Sequence, residues 1–319
     1  MSVLVFAESS EGKYKKSVFE LVSYAKALAD QMQEELVALT AFAGDAQVLA
    51  QYGAGKILVG SSEALKTADV NVWAEFIAAA AREYGAKAVL FDSGANGMYV
   101  APLVAAKLDA GYASNVVALP ESVEPFAVKR KVFSNKAFSV TSILTEIKVL
   151  NLFKNSYGVH ENPVQPGITE FNPELPGERI KRTGLEKATG KVNLSDAEIV
   201  VSGGRGLKSG DNWGMVEELA GILGAATACS KPVADLGWRP HSEHVGQTGK
   251  QIASDVYIAI GISGAIQHLA GVNSSKIKVV INTDPEAPFF KAAEYGIVGD
   301  AFEVVPEMIE KIKAIKAGN

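Results

Sequence analysis

The feature that most constrains this chain is a repeated alternation of two patterns. A short apolar run is followed by a segment with apolar residues three and four apart, and then by another apolar run. Residues 3–6, beginning Val3-Leu4-Val5, form the first run, and residues 17–32 carry the first helical spacing. Residues 36–43, 56–59 and 88–91 read as further strands, with helices over 72–84 and 98–108. Strands alternating with helices predict a parallel sheet wrapped by helices. The pattern then changes. Residues 127–133 and 137–143 flank Ser134-Asn135-Lys136 as a hairpin would, so the expected sheet is mixed, with an antiparallel edge.

From about Asn155 to Asp196 the periodicity fades. Pro163, Pro166, Pro173 and Pro176 punctuate a polar stretch that contains Glu178-Arg179-Ile180-Lys181-Arg182. It reads as a strand remnant and then an inter-domain connection ending near residue 190. The expected domains are therefore 1–188 and 189–319, an assignment that suits a chain of 319 residues. Beyond Glu198 the alternation restarts. Strands are expected at 199–202, 225–228, 255–262, 276–281 and 301–305. Helices are expected at 213–223, from 264 to 269, and at 288–295 and 307–317. Pro285 and Pro306, each followed by a glutamate, suit first helical positions. This half reads as an open doubly wound parallel sheet. A ligand of such a sheet lies beyond the carboxyl ends of its strands, where the strand order reverses.

Composition removes several functions. Hydrophobic residues make up 48% of the chain, which excludes a disordered one. Lys and Arg total 31 against 36 Asp and Glu, without the basic excess that a nucleic acid partner demands. A single cysteine, Cys229, rules out an internal disulfide and points to a reducing compartment; it also rules out an iron–sulfur or zinc set built on cysteines. His160, His241, His244 and His268 are not spaced as a metal cage. The apolar run at the start is short and lacks a basic leader, and no stretch reaches the ~20 apolar residues of a membrane helix. A cytoplasmic protein is expected.

Three expected strand ends are rich in glycine, hydroxyl and amide groups. Ser202-Gly203-Gly204-Arg205-Gly206 would hold an arginine on a short turn where the backbone can approach a ligand. Gly261-Ile262-Ser263-Gly264 leads into Ala265-Ile266-Gln267-His268, and such a turn offers backbone N–H groups to an anion, although helix capping by Ser263 would explain it as well. Val245-Gly246-Gln247-Thr248-Gly249-Lys250 has the look of a phosphate loop but fails it: Gln251 stands where Ser or Thr is needed, and His244 where glycine is. The dinucleotide fingerprint starting at Gly204 fails at Ser209, which argues against a nicotinamide-dependent dehydrogenase. No nucleophile elbow, triad or acid–base pair emerges. Cys229 reads as a small hydrophobe, and His241 and His244 as solvated loop residues.

These motifs, continued by Ile281-Asn282-Thr283-Asp284-Pro285-Glu286-Ala287-Pro288 and by Tyr295-Gly296-Ile297-Val298 with Asp300, follow the order and spacing of the electron transfer flavoprotein alpha subunit, which the second half closely resembles. The first half is similar in length and element order. The resemblance implies FAD as cofactor and a beta subunit completing a heterodimer. It places Arg205 against the flavin ring, Thr248 near N5 and His268 near the C2 carbonyl. Ser230, Gln247 and residues 263–268 (Ser263, Gly264, Ala265, Ile266, Gln267, His268), with Val245 and Gly246, would wrap the ribityl chain and pyrophosphate. Asn282, Asp300 and the adjoining Ala301 would hold the adenosine end. The implied function is a carrier, not an enzyme. It would take electrons from acyl-CoA dehydrogenases and similar flavin dehydrogenases, and pass them to a quinone oxidoreductase, in fatty acid beta-oxidation. A reduced flavin carries negative charge, so a fixed guanidinium beside it raises its potential. An electron-bifurcating, NADH-linked member of the family and an adenine-nucleotide-binding regulatory protein remain as alternatives.

Overall fold

The computed structural model describes residues 1–66, 69–133, 135–177, 179–180, 183–184 and 193–318. Ser134, Glu178, Lys181, Arg182 and the expected domain boundary after residue 188 lie outside them. The chain divides into two compact units, Met1–Phe133 with Ala137–Leu185, and Glu186–Asn319 with Ser134–Lys136.

In the first unit the chain runs β1 (Ser2–Phe6), α1 (Lys16–Met32), β2 (Glu35–Ala41), β3 (Lys56–Gly60), α2 (Val70–Glu83), β4 (Ala86–Asp92) and α3 (Ala95–Lys107). It continues through β5 (Gly111–Val116), β6 (Phe126–Val132), β7 (Ala137–Ser142), β8 (Lys148–Leu152) and β9 (Gly167–Glu170). The spatial order is β7-β6-β5-β8-β4-β1-β2-β3-β9. From β5 to β9 neighbouring strands are parallel, and the β6–β7 hairpin forms the antiparallel edge. The apolar run that opens the chain explains β1. Val3 and Val5 face Leu21, Tyr24 and Leu28 of α1, while Leu4 and Phe6 face Phe76 and Ile77 of α2. A strand covered on both faces must be apolar throughout.

Strands β5 and β8 were not expected. The first reads Gly-Tyr-Ala-Ser-Asn-Val, and the second carries Asn151, fully buried. The Tyr112 hydroxyl donates to Asn151 at 2.6 Å, and the Asn151 amide donates to the Asp92 carbonyl at 2.7 Å. Satisfied polar groups thus replace apolar ones at the sheet centre and hide the strand signal.

The second unit holds β10 (Ile199–Gly203), α4 (Gly214–Leu223), β11 (Ala226–Cys229), α5 (Lys231–Asp235), β12 (Val256–Ile260), α6 (Ile266–Val272), β13 (Ile277–Asn282), β14 (Tyr295–Val298) and α7 (Ala301–Ala317). All five strands are parallel, in the order β11-β10-β12-β13-β14. Val201, Ile258 and Ile281 pack one face on Leu219, Val305 and Ile309 of α4 and α7. Val200, Tyr257 and Val280 pack the other on Ile262, Val272 and Phe289. Both faces are covered, and the order reverses between β10 and β12, whose carboxyl ends open a crevice.

Two expectations fail here. Residues 301–305 are not a strand but the first turns of α7: Ala301, Val305 and Ile309 form one buried stripe at helical spacing. The Asp300 side chain caps this helix by accepting from the Phe302 N–H at 3.0 Å, so Pro306 lies inside the helix and not at its start. The helix expected at 288–295 is a short 3-10 turn, Pro288–Ala292, followed by edge strand β14; Pro288, not Pro285, takes its first position. No helix among the described residues is long and apolar enough to cross a membrane.

Candidate functional site

The crevice exists because glycines let two turns meet backbone to backbone. After β10, Gly204 donates its N–H to the Ile260 carbonyl at 2.8 Å, and Gly206 donates to the Gly261 carbonyl at 3.1 Å. A Cβ on Gly204 would stand 2.2 Å from the Gly261 oxygen, and one on Gly206 would stand 2.6 Å from the Gly261 Cα. Gly261 itself has φ +63°. A second pair works alike: a Cβ on Gly271 of α6 would stand 2.5 Å from the Gly246 nitrogen. The Gln247 N–H donates to the Gln267 carbonyl at 2.7 Å. So the loops after β10 and β12 are pinned together, and the 245–250 loop is pinned to α6.

Between these loops lies a cavity of about 590 Å³, within the usual range for ligand pockets. Arg205, Ser230, Gln247, Thr248, Ser263, Gln267, His268 and Asn282 are among the residues that line it. Between β12 and the body of α6, the backbone N–H groups of residues 263–267 donate to no acceptor among the described residues. A row of free N–H groups on a glycine-bounded turn is an anion cradle. Arg205 is exposed and makes no ion pair among the described residues, so its positive charge is available at the cavity wall.

The buried titratable groups of the wall are two imidazoles, those of His244 and His268. His268 is 7% exposed and its Nε2 lies 2.8 Å from the Tyr257 hydroxyl. Burial pushes its pKa down to about 4, with the neighbouring His244 acting in the same direction, so the ring is neutral at pH 7. Its Nδ1 makes no hydrogen bond of proper geometry, although the Val245 backbone lies near enough to favour the protonated form. His244 is held below the ordinary histidine range, first by burial and then by the Lys231 charge. Burial lifts the Cys229 thiol to about 12, so it is an inert part of the core, as its sequence setting suggested.

The cavity gathers most of the residues singled out from sequence. Arg205, Ser230, Val245, Gly246, Gln247, Thr248, Ser263, Ala265, Gln267, His268 and Asn282 line it. Four others do not. Gly264, at φ +82°, is pressed on Phe289, whose nitrogen a Cβ would approach to 2.5 Å. Ile266 is 64% exposed at the start of α6. Asp300 caps α7 and pairs with Lys208 at 3.6 Å, and Ala301 is buried behind it. His244, read as solvated, is instead 6% exposed and lines the cavity; His241 is exposed as expected. The chain wraps His244, because a Cβ on Gly249 would stand 2.7 Å from its Nδ1. The spacing of His244 to Gly246 and Gly249 was the one available signal for this. Gly206, Lys231, Pro232, Gly261 and Ile262 also line the cavity.

Comparison with known proteins bears on both units. Residues 193–273 match the family described as "Electron transfer flavoprotein FAD-binding domain", and residues 3–173 match "Electron transfer flavoprotein domain". The electron transfer flavoprotein subunit alpha of Syntrophomonas wolfei is 33% identical over 97% of this chain and 98% of its own length. The corresponding Pseudomonas aeruginosa protein is 36% identical over 97% of this chain and 99% of its own. A probable mitochondrial subunit alpha of Caenorhabditis elegans is 36% identical over 96% of this chain and 92% of its own. Both halves match, at nearly full length and in one register, and the second carries the FAD-binding domain: the chain belongs to the electron transfer flavoprotein family, as an alpha subunit.

Proposed function

We propose that the crevice between the ends of β10 and β12 holds FAD, and that the chain is the flavin-carrying half of a heterodimer with an electron transfer flavoprotein beta subunit. The observation that carries this reading is the unpaired run of backbone N–H groups at 263–267, on a turn whose Ser263, Ala265 and Gln267 line a cavity that also presents Arg205. Those N–H groups, with Ser230 and Gln247, would hold the pyrophosphate and ribityl chain. Arg205, Thr248 and His268 would hold the ring, and Asn282 the adenosine end. The Gly299 N–H donates to the Asn282 carbonyl at 3.0 Å, so Asp300 follows at the next strand end along that rim.

FAD, when bound, supplies the centre that takes up and gives up electrons. The chain's residues set its surroundings. The guanidinium of Arg205 favours negative charge on its neighbour. His268 enters as a neutral hydrogen-bonding group, not as a second cation. No acid–base pair for transforming a substrate belongs to this scheme, which suits a carrier. Its donors would be acyl-CoA dehydrogenases and similar flavoenzymes, and its acceptor a quinone oxidoreductase; the family membership supports this choice.

Co-expression with a beta subunit tests the reading. The purified pair should be yellow, with one FAD in this cavity. Ala265→Trp, at an exposed position of the cavity wall, should leave the pair assembled and strip it of flavin. Full flavin content in that variant would refute the placement.

A further inference from the structure

The polar centre under the cavity supports one step more, whose meaning for the cofactor rests on the reading of that cavity as the FAD site. Tyr257 is wholly buried on β12, its ring stacked on Phe289 at 6.2 Å and 7°. His268 packs on the same Phe289 ring at 6.0 Å. Packing therefore fixes both partners of the 2.8 Å contact between the phenol oxygen and Nε2. The Ser202 hydroxyl sits beside the phenol without hydrogen-bond geometry of its own.

Both groups are neutral: burial raises the phenol and lowers the imidazole. A phenol is a far better donor than a neutral imidazole N–H, and a bare imidazole nitrogen accepts better than a phenol oxygen. The 2.8 Å contact is then Tyr257 O–H donating to Nε2. A neutral imidazole with Nε2 accepting carries its proton on Nδ1. The Val245 backbone lies near enough to the ring to favour a proton on it, and Nε2 is already taken by Tyr257.

We infer that Tyr257 is a positioning residue that locks His268 in the Nδ1–H tautomer, so that what His268 can offer a bound group through Nδ1 is a donor. The matching ligand chemistry is a carbonyl-type acceptor. The arrangement requires a neutral His268, since a protonated ring carries N–H on both nitrogens and leaves none to accept from Tyr257.

The test is nitrogen NMR of the heterodimer with 15N-labelled histidine at pH 7, with and without FAD, His268 being assigned by the signals lost in His268→Gln. The wild-type protein should show Nε2 as a bare, accepting nitrogen and Nδ1 as an N–H. Tyr257→Phe should move Nε2 toward the protonated position and leave a mixture of tautomers. A proton on Nε2 in the wild type overturns the inference, and so does an unchanged tautomer in a folded Tyr257→Phe. If that variant does not fold, the wild-type spectrum alone decides. Should the Nδ1–H tautomer appear while added FAD leaves the His268 signals unmoved, the inference stands and the placement of FAD beside His268 fails.

Discussion

Alanine at Gly261 probes the contact that creates the site. Gly261 sits at φ +63°, where a side chain costs about 1–2 kcal/mol. Its Cβ would also stand 2.8 Å from the Gly206 Cα and 3.1 Å from the Gly206 carbonyl carbon, far inside the ~3.5–4.0 Å of a comfortable carbon pair. Both neighbours are backbone, so the loops after β10 and β12 must part by nearly an ångström, at an overpacking cost of about 1–3 kcal/mol. The combined loss is about 2–5 kcal/mol. For a unit of this size that lowers Tm by roughly 6–20 °C. The same shift moves Arg205 away from the 263–267 turn, so flavin retention should fall with stability. Gly221, exposed on α4 with open space at its Cβ, is the control. There alanine should stabilise by about 1 kcal/mol through helix propensity alone. Calorimetry and flavin content of both variants in the assembled pair decide the matter. A Gly261→Ala protein that melts with the wild type and keeps its FAD would refute the argument.

Other substitutions test the electrostatics. In the unliganded protein His268 resists protonation down to about pH 4, while an unfolded histidine protonates near 6.5. The unfolded state thus binds the extra proton between those values, and stability falls as pH drops from 6.5 toward 4, by up to about 3 kcal/mol. His268→Gln should flatten that fall in denaturant melts, and an unchanged slope would contradict the burial argument; His244, shifted the same way, accounts for part of what remains. Arg205→Ala should lower the flavin potential while FAD stays bound, and a dye-coupled titration returning the wild-type potential would show that its charge does not reach the ring. Cys229, wholly buried with its thiol lifted to about 12, should react with a thiol reagent only after denaturation; rapid labelling of the native protein would contradict its placement.

How much of this was legible in the sequence depends on the residue. Val3-Leu4-Val5 announced β1 because both faces of that strand are buried, and a strand of that kind has no polar alternation to obscure it. Asn151 concealed β8, since the sheet satisfies it through Tyr112 and Asp92, partners remote in sequence. Residues 301–305 fit a strand by composition, and what makes them helical is the continuation of their stripe to Ile309 and the cap at Asp300. The glycines at 204, 206, 261 and 246 were readable as points of close approach, though not which glycine meets which. His244 was misread because its neighbours Arg239, His241 and Glu243 are polar, while its burial comes from the return of the chain at Gly249. Tyr257 carried no signal at all, because a strand aromatic is ordinarily core, and its tie to His268 appears once β12 and α6 are folded together.

The most direct measurement is a crystal structure of the FAD-loaded heterodimer. Electron density for the isoalloxazine ring should lie in the cavity between Arg205, Thr248 and His268, with the pyrophosphate against the N–H groups of residues 263–267. Density for the cofactor elsewhere, or a cavity closed by protein side chains in the loaded complex, would contradict the account.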